Sequence, residues 1–325
     1  MTVELEWWLL APPARRCTKC FEIWWRPPKC TLAATALTCP DDCCRSANDK
    51  RLVQAAREGL RVAIIAPIFL RNLRDATLVE TLLLQLSKQD RPADFIILVD
   101  DSSPIPVEDV LSSGVVVPHN ISVFRLDDNS GPARARNVGI LEAHTKGCDI
   151  VCFLDADCAP DPLWLRTMVD AHESIAQKGP SAYGGRTQAA KPFGWVGHYH
   201  NFFGTLNGPR MADLPDQPNE DGRLLYAPSC NFSMKLNPDT APLLFDTEFP
   251  AASFEDVEFC CRLRAVNIAI RYLPDAVVYH AYDESVMGLA RQFWKYGRWE
   301  GLAEEKQPGY LELLRKSWAI SCQQP

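Results

Sequence analysis

Residues 94–104 read DFIILVDDSSP, an apolar run of strand length that stops at two carboxylates, Asp100 and Asp101, and a Ser-Ser-Pro turn. A continuous apolar run closed by turn residues is the pattern of a strand buried on both faces, as in a parallel sheet covered by helices. In open α/β sheets ligands sit at the carboxyl ends of such strands, where this run places its two acids.

The text on either side repeats the theme. Upstream, Val62 to Phe69 reads as another buried strand, and Ala76 to Lys88 carries Leu at 78, 82, 83 and 86, one apolar face of a helix laid on the sheet. Downstream come a strand at Ile121 to Leu126, a helix at Gly131 to Thr145, and a strand at Asp149 to Leu154 ending in Asp155-Ala156-Asp157. Further elements are a helix at Pro162 to Gln177, strands at Ser181 to Lys191, Tyr226 to Lys235 and Ile268 to Tyr279, and a helix at Phe254 to Ala265. Residues 192 to 222 show no period and read as a long functional loop. The alternation predicts an α/β fold with a mostly parallel open sheet and helices on both faces. It divides the chain into a cysteine-rich extension (1–58), a catalytic domain (59–283) and a largely helical tail (284–325).

The chain has 325 residues, 47% hydrophobic and 23% charged, enough for a large core. Lys plus Arg number 34 against 41 Asp plus Glu, a net charge of −7, which argues against a general nucleic-acid binder. No stretch approaches the roughly 20 apolar residues of a membrane span. Glu4 and Glu6 precede a short apolar patch, unlike a secretory leader, so a cytoplasmic location is expected. Six of the 13 cysteines, Cys17, Cys20, Cys30, Cys39, Cys43 and Cys44, crowd the extension; they could supply a four-thiolate zinc site, although an ill-ordered segment is the simpler expectation.

Three acidic pairs stand at element ends: Asp100-Asp101, Asp155-x-Asp157 and Glu255-Asp256. Each alone could be an ordinary acidic turn or helix start. Together they suit transfer from a diphosphate donor. Hard divalent cations want carboxylate oxygens, which Asp155 and Asp157 can offer side by side, and a separate carboxylate must take the acceptor's proton.

The segments VAIIAPIF, IILVDDSS, NSGPARARNVGI, CFLDADCAPDP, APSCNFSMK, FEDVEFCCRLR and PDAVVYHA follow one another in this order between residues 62 and 281. In this the chain resembles glycosyltransferase family 2, inverting enzymes with the A-type glycosyltransferase fold. The resemblance implies that Asp100 and Asp101 lie against the donor's base and ribose, with Arg134, Arg136, Asn137 and Asp155 bordering the donor pocket. It makes Asp155 and Asp157 the Asp-x-Asp metal motif for Mn²⁺ or Mg²⁺, with His280 as a third ligand. Asp256 resembles the general base and Glu255 its support.

The RQFWKYGRW segment, residues 291–299, resembles that of exopolysaccharide-type transferases and makes Arg298 and Trp299 candidates for acceptor contact. The implied activity moves a sugar from a nucleotide donor, UDP-linked by family frequency, to a hydroxyl of a glycan or lipid-linked saccharide, the latter bringing the protein to the inner face of a membrane. Two other readings compete: a sugar-phosphate nucleotidylyltransferase, disfavoured because no glycine follows Phe69 until Gly114, and a non-catalytic nucleotide-sugar-binding protein. His198 and His200 are expected to be loop histidines without function.

Overall fold

The structure, a computed structural model, describes residues 59–174, 181–211, 222–309 and 312. The cysteine-rich segment, its zinc reading and the end of the predicted C-terminal helix lie outside the described residues. From Glu58 onward the chain forms one compact unit.

Eight strands make one sheet: β1 (Val62–Ile68), β2 (Phe95–Asp100), β3 (Ile121–Arg125), β4 (Ile150–Leu154), β5 (Cys158–Pro160), β6 (Ala182–Ala189), β7 (Asn231–Lys235) and β8 (Ile270–His280). Their order is β3-β2-β1-β4-β7-β6-β8-β5. The pairs β1–β2, β2–β3, β1–β4 and β6–β8 are parallel, whereas β4–β7, β6–β7 and β5–β8 are antiparallel. The sheet is therefore mixed and mostly parallel, as the apolar runs predict.

Seven helices are described: α1 (Leu73–Leu86), α2 (Val107–Ser112), α3 (Pro132–Thr145), α4 (Trp164–Glu173), α5 (Trp195–Phe203), α6 (Glu255–Ala265) and α7 (Val286–Lys306). The pleat sends alternate residues of β1 to opposite faces. Val62, Ile64, Ala66 and Ile68 pack with α1, α2 and α4; Ala63 and Ile65 pack with α3 and α6. Both faces are thus covered, and β1 and β4 carry no polar side chain.

Local chemistry fixes the element ends that carry the site. Asn72 caps α1 by accepting hydrogen bonds from the backbone N–H groups of Arg74 and Asp75. Gly131 precedes α3 at φ 87°, and a Cβ there would run into the Pro250 carbonyl, so the turn needs glycine. Pro132 then starts the helix where its missing N–H costs nothing.

Two elements depart from the expectation. The 192–222 segment contains helix α5, too short and too aromatic all round to show a period, and the three-residue β5 follows Asp157. The expected loop histidines accordingly sit on α5, and His200 is buried.

Candidate active site

The turns after β2 and β4 and the start of α6 carry the three acidic pairs. Asp100 is fully buried and accepts hydrogen bonds from Ser103 N at 2.7 Å and Val107 N at 3.3 Å, with Arg125 pairing to the same carboxylate. Asp101 accepts from Ser130 N at 2.7 Å and Gly131 N at 2.8 Å, and burial raises its pKa. The two acids therefore tie the β2 turn to the entrances of α2 and α3. Ser102, immediately after them, adopts φ 58°, an uncommon conformation for a residue with a side chain.

Arg136 is the hub. Its guanidinium is 1% exposed and bridges Asp155 Oδ1 at 2.7 Å and Glu255 Oε1 at 2.9 Å. Burial alone would lower its pKa, but the two carboxylates outweigh it and raise it. Asn137 is latched to the backbone of Phe245, donating to its carbonyl at 2.9 Å and accepting from its N–H at 2.7 Å. Arg134 is exposed on the first turn of α3. Of the three α3 residues singled out in the sequence, one points to solvent and two hold the scaffold under the acidic pairs.

Glu255 is buried, its second oxygen accepting from Ser253 N at 2.6 Å. Asp256 follows at the start of α6, where Val257 N donates to Oδ1 at 2.8 Å and Ser229 N to Oδ2 at 3.2 Å. Burial, then the neighbouring Glu255 charge, push its pKa up to about 7. Phe254, which enters this helix, holds φ 66°; strain of this kind in a bulky residue is characteristic of functional turns.

After β4, Asp157 Oδ1 lies 3.3 Å from His280 Nε2. Asp157 and His280 come together because β5 runs antiparallel to β8 with Cys158 opposite His280, and Ala281 N donates to the Asp157 carbonyl at 2.9 Å. Burial, followed by the charge of Asp155, raises the Asp157 pKa against the opposing pull of His280. A cleft of about 290 Å³ opens beside Asp157, with Arg74, Lys191 and Tyr282 in its wall.

Arg298 and Trp299 lie on α7, where the guanidinium is 5.5 Å from the Trp294 ring and 5.7 Å from the Trp299 ring. The α7 residues that act electrostatically on the acids are instead Lys295, on Asp157, and Tyr296, which feels Asp256. Sequence reading missed these, as well as Ser229 and Cys158. The APSCNFSMK segment was the one available signal for Ser229, since a turn residue before a strand offers a free N–H.

A mixed, mostly parallel sheet covered by helices on both faces, with acidic pairs after β2 and β4, defines an α/β domain of the kind whose ligands bind beyond the carboxyl ends of the strands. Residues 63–221 match the model of Glycosyl transferase family 2, and the domain belongs to that family. The chain is 31% identical over 189 residues to the pre-mycofactocin glycosyltransferases of Mycobacterium tuberculosis strains CDC 1551 / Oshkosh and ATCC 25618 / H37Rv, a match covering 57% of this chain and 37% of each relative. Among solved structures it is similar to S. aureus TarS 1-349 in complex with UDP (20% identity, TM-score 0.47, 69% of this chain and 61% of that chain). It is also similar to GalNAc-T7 with UDP, GalNAc and Mn²⁺ (15% identity, TM-score 0.49, 70% and 44%). Among the described residues no helix is long and apolar enough to cross a membrane.

Proposed function

We propose that this domain is an inverting glycosyltransferase that moves a sugar from a nucleotide diphosphate donor, UDP-linked in the first instance, to an acceptor hydroxyl with the help of Mn²⁺ or Mg²⁺. The observation that carries the reading is the separation of two kinds of carboxylate: Asp157 beside His280, and Asp256 with its pKa near 7 on another element.

A divalent cation fits the first of these. Asp157 Oδ1 is buried without a hydrogen-bond donor, a cost that a cation held between it and His280 Nε2 would relieve. When bound, the cation supplies Lewis-acid stabilisation of the departing diphosphate. Asp155 stands beside the pair, and its bond to Arg136 uses only Oδ1. Asp100 and Asp101 shape the donor side by fixing the turns at α2 and α3, and the exposed Arg134 is free to meet the nucleotide there.

Asp256 takes the acceptor's proton. A base is most effective with its pKa near the working pH, because it is then ionised yet still basic, and burial beside Glu255 brings Asp256 to that range. Arg136 holds Glu255 in place, and Ser229 N aims the base. Arg298 and Trp299 belong to the acceptor side.

The acceptor reading extends to a lipid-linked saccharide. Helices α5 and α7 expose Trp195, Phe202, Phe203, Phe293 and Trp294, and Tyr199 joins the helices by ring contacts to Phe203 and Phe293 at 4.6 and 6.0 Å. Amphipathic aromatic surfaces of this kind seat in the headgroup layer of a membrane.

The test is nucleotide release from a panel of nucleotide sugars, with and without chelator. Release from one donor that stops with chelator and returns with Mn²⁺ is the expected result. Undiminished turnover in chelator would overturn the metal role, and no release with any donor and a range of sugar acceptors would overturn the transferase reading.

A further inference from the structure

The residue between Asp157 and the rest of β5 is a cysteine, and it changes what the cation site can hold. Cys158 and His280 are directly opposite in the β5–β8 ladder, so their side chains emerge as a cross-strand pair. The Cys158 sulfur, a carboxylate oxygen of Asp157 and a ring nitrogen of His280 all lie within 4.8 Å of one another. Hard cations such as Mg²⁺ and Mn²⁺ gain little from a sulfur donor, whereas a thiolate beside imidazole and carboxylate is a zinc-type set.

We propose that Asp157, Cys158 and His280 form a mixed oxygen, sulfur and nitrogen site that takes a thiophilic divalent cation, Zn²⁺, in preference to Mg²⁺ or Mn²⁺. The site shares Asp157 and His280 with the cation site of the proposed function and deepens that reading. Zinc bonds of about 2.0–2.3 Å in a tetrahedral arrangement require donor separations of roughly 3.3–3.6 Å. Asp157 and His280 already stand at 3.3 Å. The sulfur lies within 4.8 Å of both and must close by up to about 1–1.5 Å to reach those separations; its present partner is weak, the Cys230 carbonyl at 3.7 Å. Asp157 Oδ1 accepts no hydrogen bond, so a cation there would take the place of its 3.3 Å contact with His280 Nε2. Three protein ligands are also the number found in zinc sites that keep one position open. The Cys158 proton leaves to solvent as the sulfur binds, and no redox change is involved.

The experiment uses the full chain under reducing conditions with two probes. Co²⁺, a spectroscopic stand-in for Zn²⁺, reports sulfur ligation through a thiolate-to-cobalt charge-transfer band in the near ultraviolet. Bound Mn²⁺, followed by electron paramagnetic resonance, reports the hard-cation site, and Zn²⁺ and Mg²⁺ are titrated against it. Because the N-terminal cysteines offer further thiols to Co²⁺, the reading is the difference between the parent and Cys158→Ala, with Cys230→Ser as the control for the adjacent thiol.

The expected result is loss of one thiolate's share of the band in Cys158→Ala and none in Cys230→Ser. Loss of outer-shell partners already weakens metal binding 10- to 100-fold, so removing a direct ligand should weaken Zn²⁺ displacement of Mn²⁺ by more than about 100-fold while Mn²⁺ still binds. An unchanged band and unchanged Zn²⁺ affinity in a Cys158→Ala protein with native circular dichroism would overturn the proposal. That outcome would leave the hard-cation reading standing. Failure of Mn²⁺ to bind the parent would remove that reading instead, with the cobalt difference still deciding the role of Cys158. Should Cys158→Ala not fold, Cys158→Ser serves in its place, and in a folded parent a cobalt band unaffected by His280→Gln would also defeat the proposal.

Discussion

Arg136 Nη1 donates to Glu255 Oε1 at 2.9 Å across 119 positions of sequence, while its Nη2 donates to Asp155 Oδ1 at 2.7 Å. The two bonds join the β4 turn to the start of α6 through one side chain. Breaking a buried pair from one side leaves the other charge uncompensated, typically at a cost of about 3–5 kcal/mol. Arg136→Met should therefore lower the thermal midpoint sharply and abolish transfer. Arg136→Lys should recover part of the stability but little of the activity, since an ammonium lacks the planar fork that spans two carboxylates. A Lys variant with parental rates would show that the bridge does not organise the site.

Asp256 links activity and stability with opposite signs. Its folded-state pKa is about 7 against the ordinary 3.8, so between about pH 4 and 7 the folded chain holds a proton that the unfolded chain has lost. The stability this group contributes is complete below pH 4 and is lost as pH rises through 7. Asp256→Asn cannot ionise and should be more stable than the parent at pH 8, on the order of a few kcal/mol, with the advantage vanishing near pH 4. Transfer by the parent should rise through pH 7 as the base ionises. Thermal midpoints of both proteins from pH 4 to 8 test the first point, and no gain for the Asn variant at pH 8 would contradict the raised pKa.

The legible part of this molecule is the part encoded locally. The strands at 62–68, 95–100 and 150–154 announce themselves as apolar runs, and the acidic pairs stand out because they end such runs. Arg136 was read as a nucleotide-side residue since nothing local distinguishes a buried arginine from a surface one; its partners lie 19 and 119 residues away. The β5–β8 pairing that brings Cys158 and Asp157 to His280 is equally nonlocal. Helix α5 was hidden by aromatics on every side, among them the exposed Phe202 and Phe203.

Two buried histidines should set the acid limit of the fold. Burial, then Lys235, lowers the pKa of His172 to about 3, and its ring nitrogens contact Ser181 Oγ at 2.8 Å and Ser233 Oγ at 3.0 Å. Burial, then His280, lowers His200 to about 4, and its ring stacks on Tyr282 at 3.8 Å. From about pH 6.5 downward the unfolded chain takes up protons that the folded chain refuses, so their contribution is full above that pH and falls on acidification. His172→Gln should flatten the loss of stability between pH 6.5 and 4. An acid limb as steep as the parent's would mean His172 is protonated in the folded state.

The aromatic face of α5 and α7 makes a separate prediction. Phe202 is 81% exposed and Trp294 66%, and Arg291, Lys295 and Arg298 lie along α7. The chain as a whole carries −7, so attraction to an anionic surface must come from these local cations. Full-length protein should float with vesicles containing anionic lipid and be released by high salt. Burying one aromatic side chain contributes about 1.5–3 kcal/mol, so Phe202→Ser with Trp294→Ser should weaken vesicle binding at least about tenfold while soluble-donor hydrolysis persists. Equal flotation of parent and double variant would remove the membrane role from this face.

The two carboxylates at the centre of the proposed chemistry should fail in different ways. Asp157 sits beside His280, so Asp157→Ala should weaken cation binding and, through it, donor binding. Asp256 is held by Ser229 N and Val257 N on another element, so Asp256→Asn should bind donor and cation normally yet transfer about 10² to 10⁴ more slowly, the usual contribution of a general base. If Asp256 draws the proton from the acceptor as its oxygen attacks the anomeric carbon, the attack comes from the face opposite the departing diphosphate. One such displacement inverts the anomeric centre, and an α-linked donor must give a β-linked product. The product's anomeric configuration, read by NMR, and the rate of the Asn variant bear on the same residue from independent sides. A retained configuration excludes a single displacement, and a near-normal rate for Asp256→Asn reduces Asp256 to a helix-start carboxylate whose raised pKa has no part in transfer.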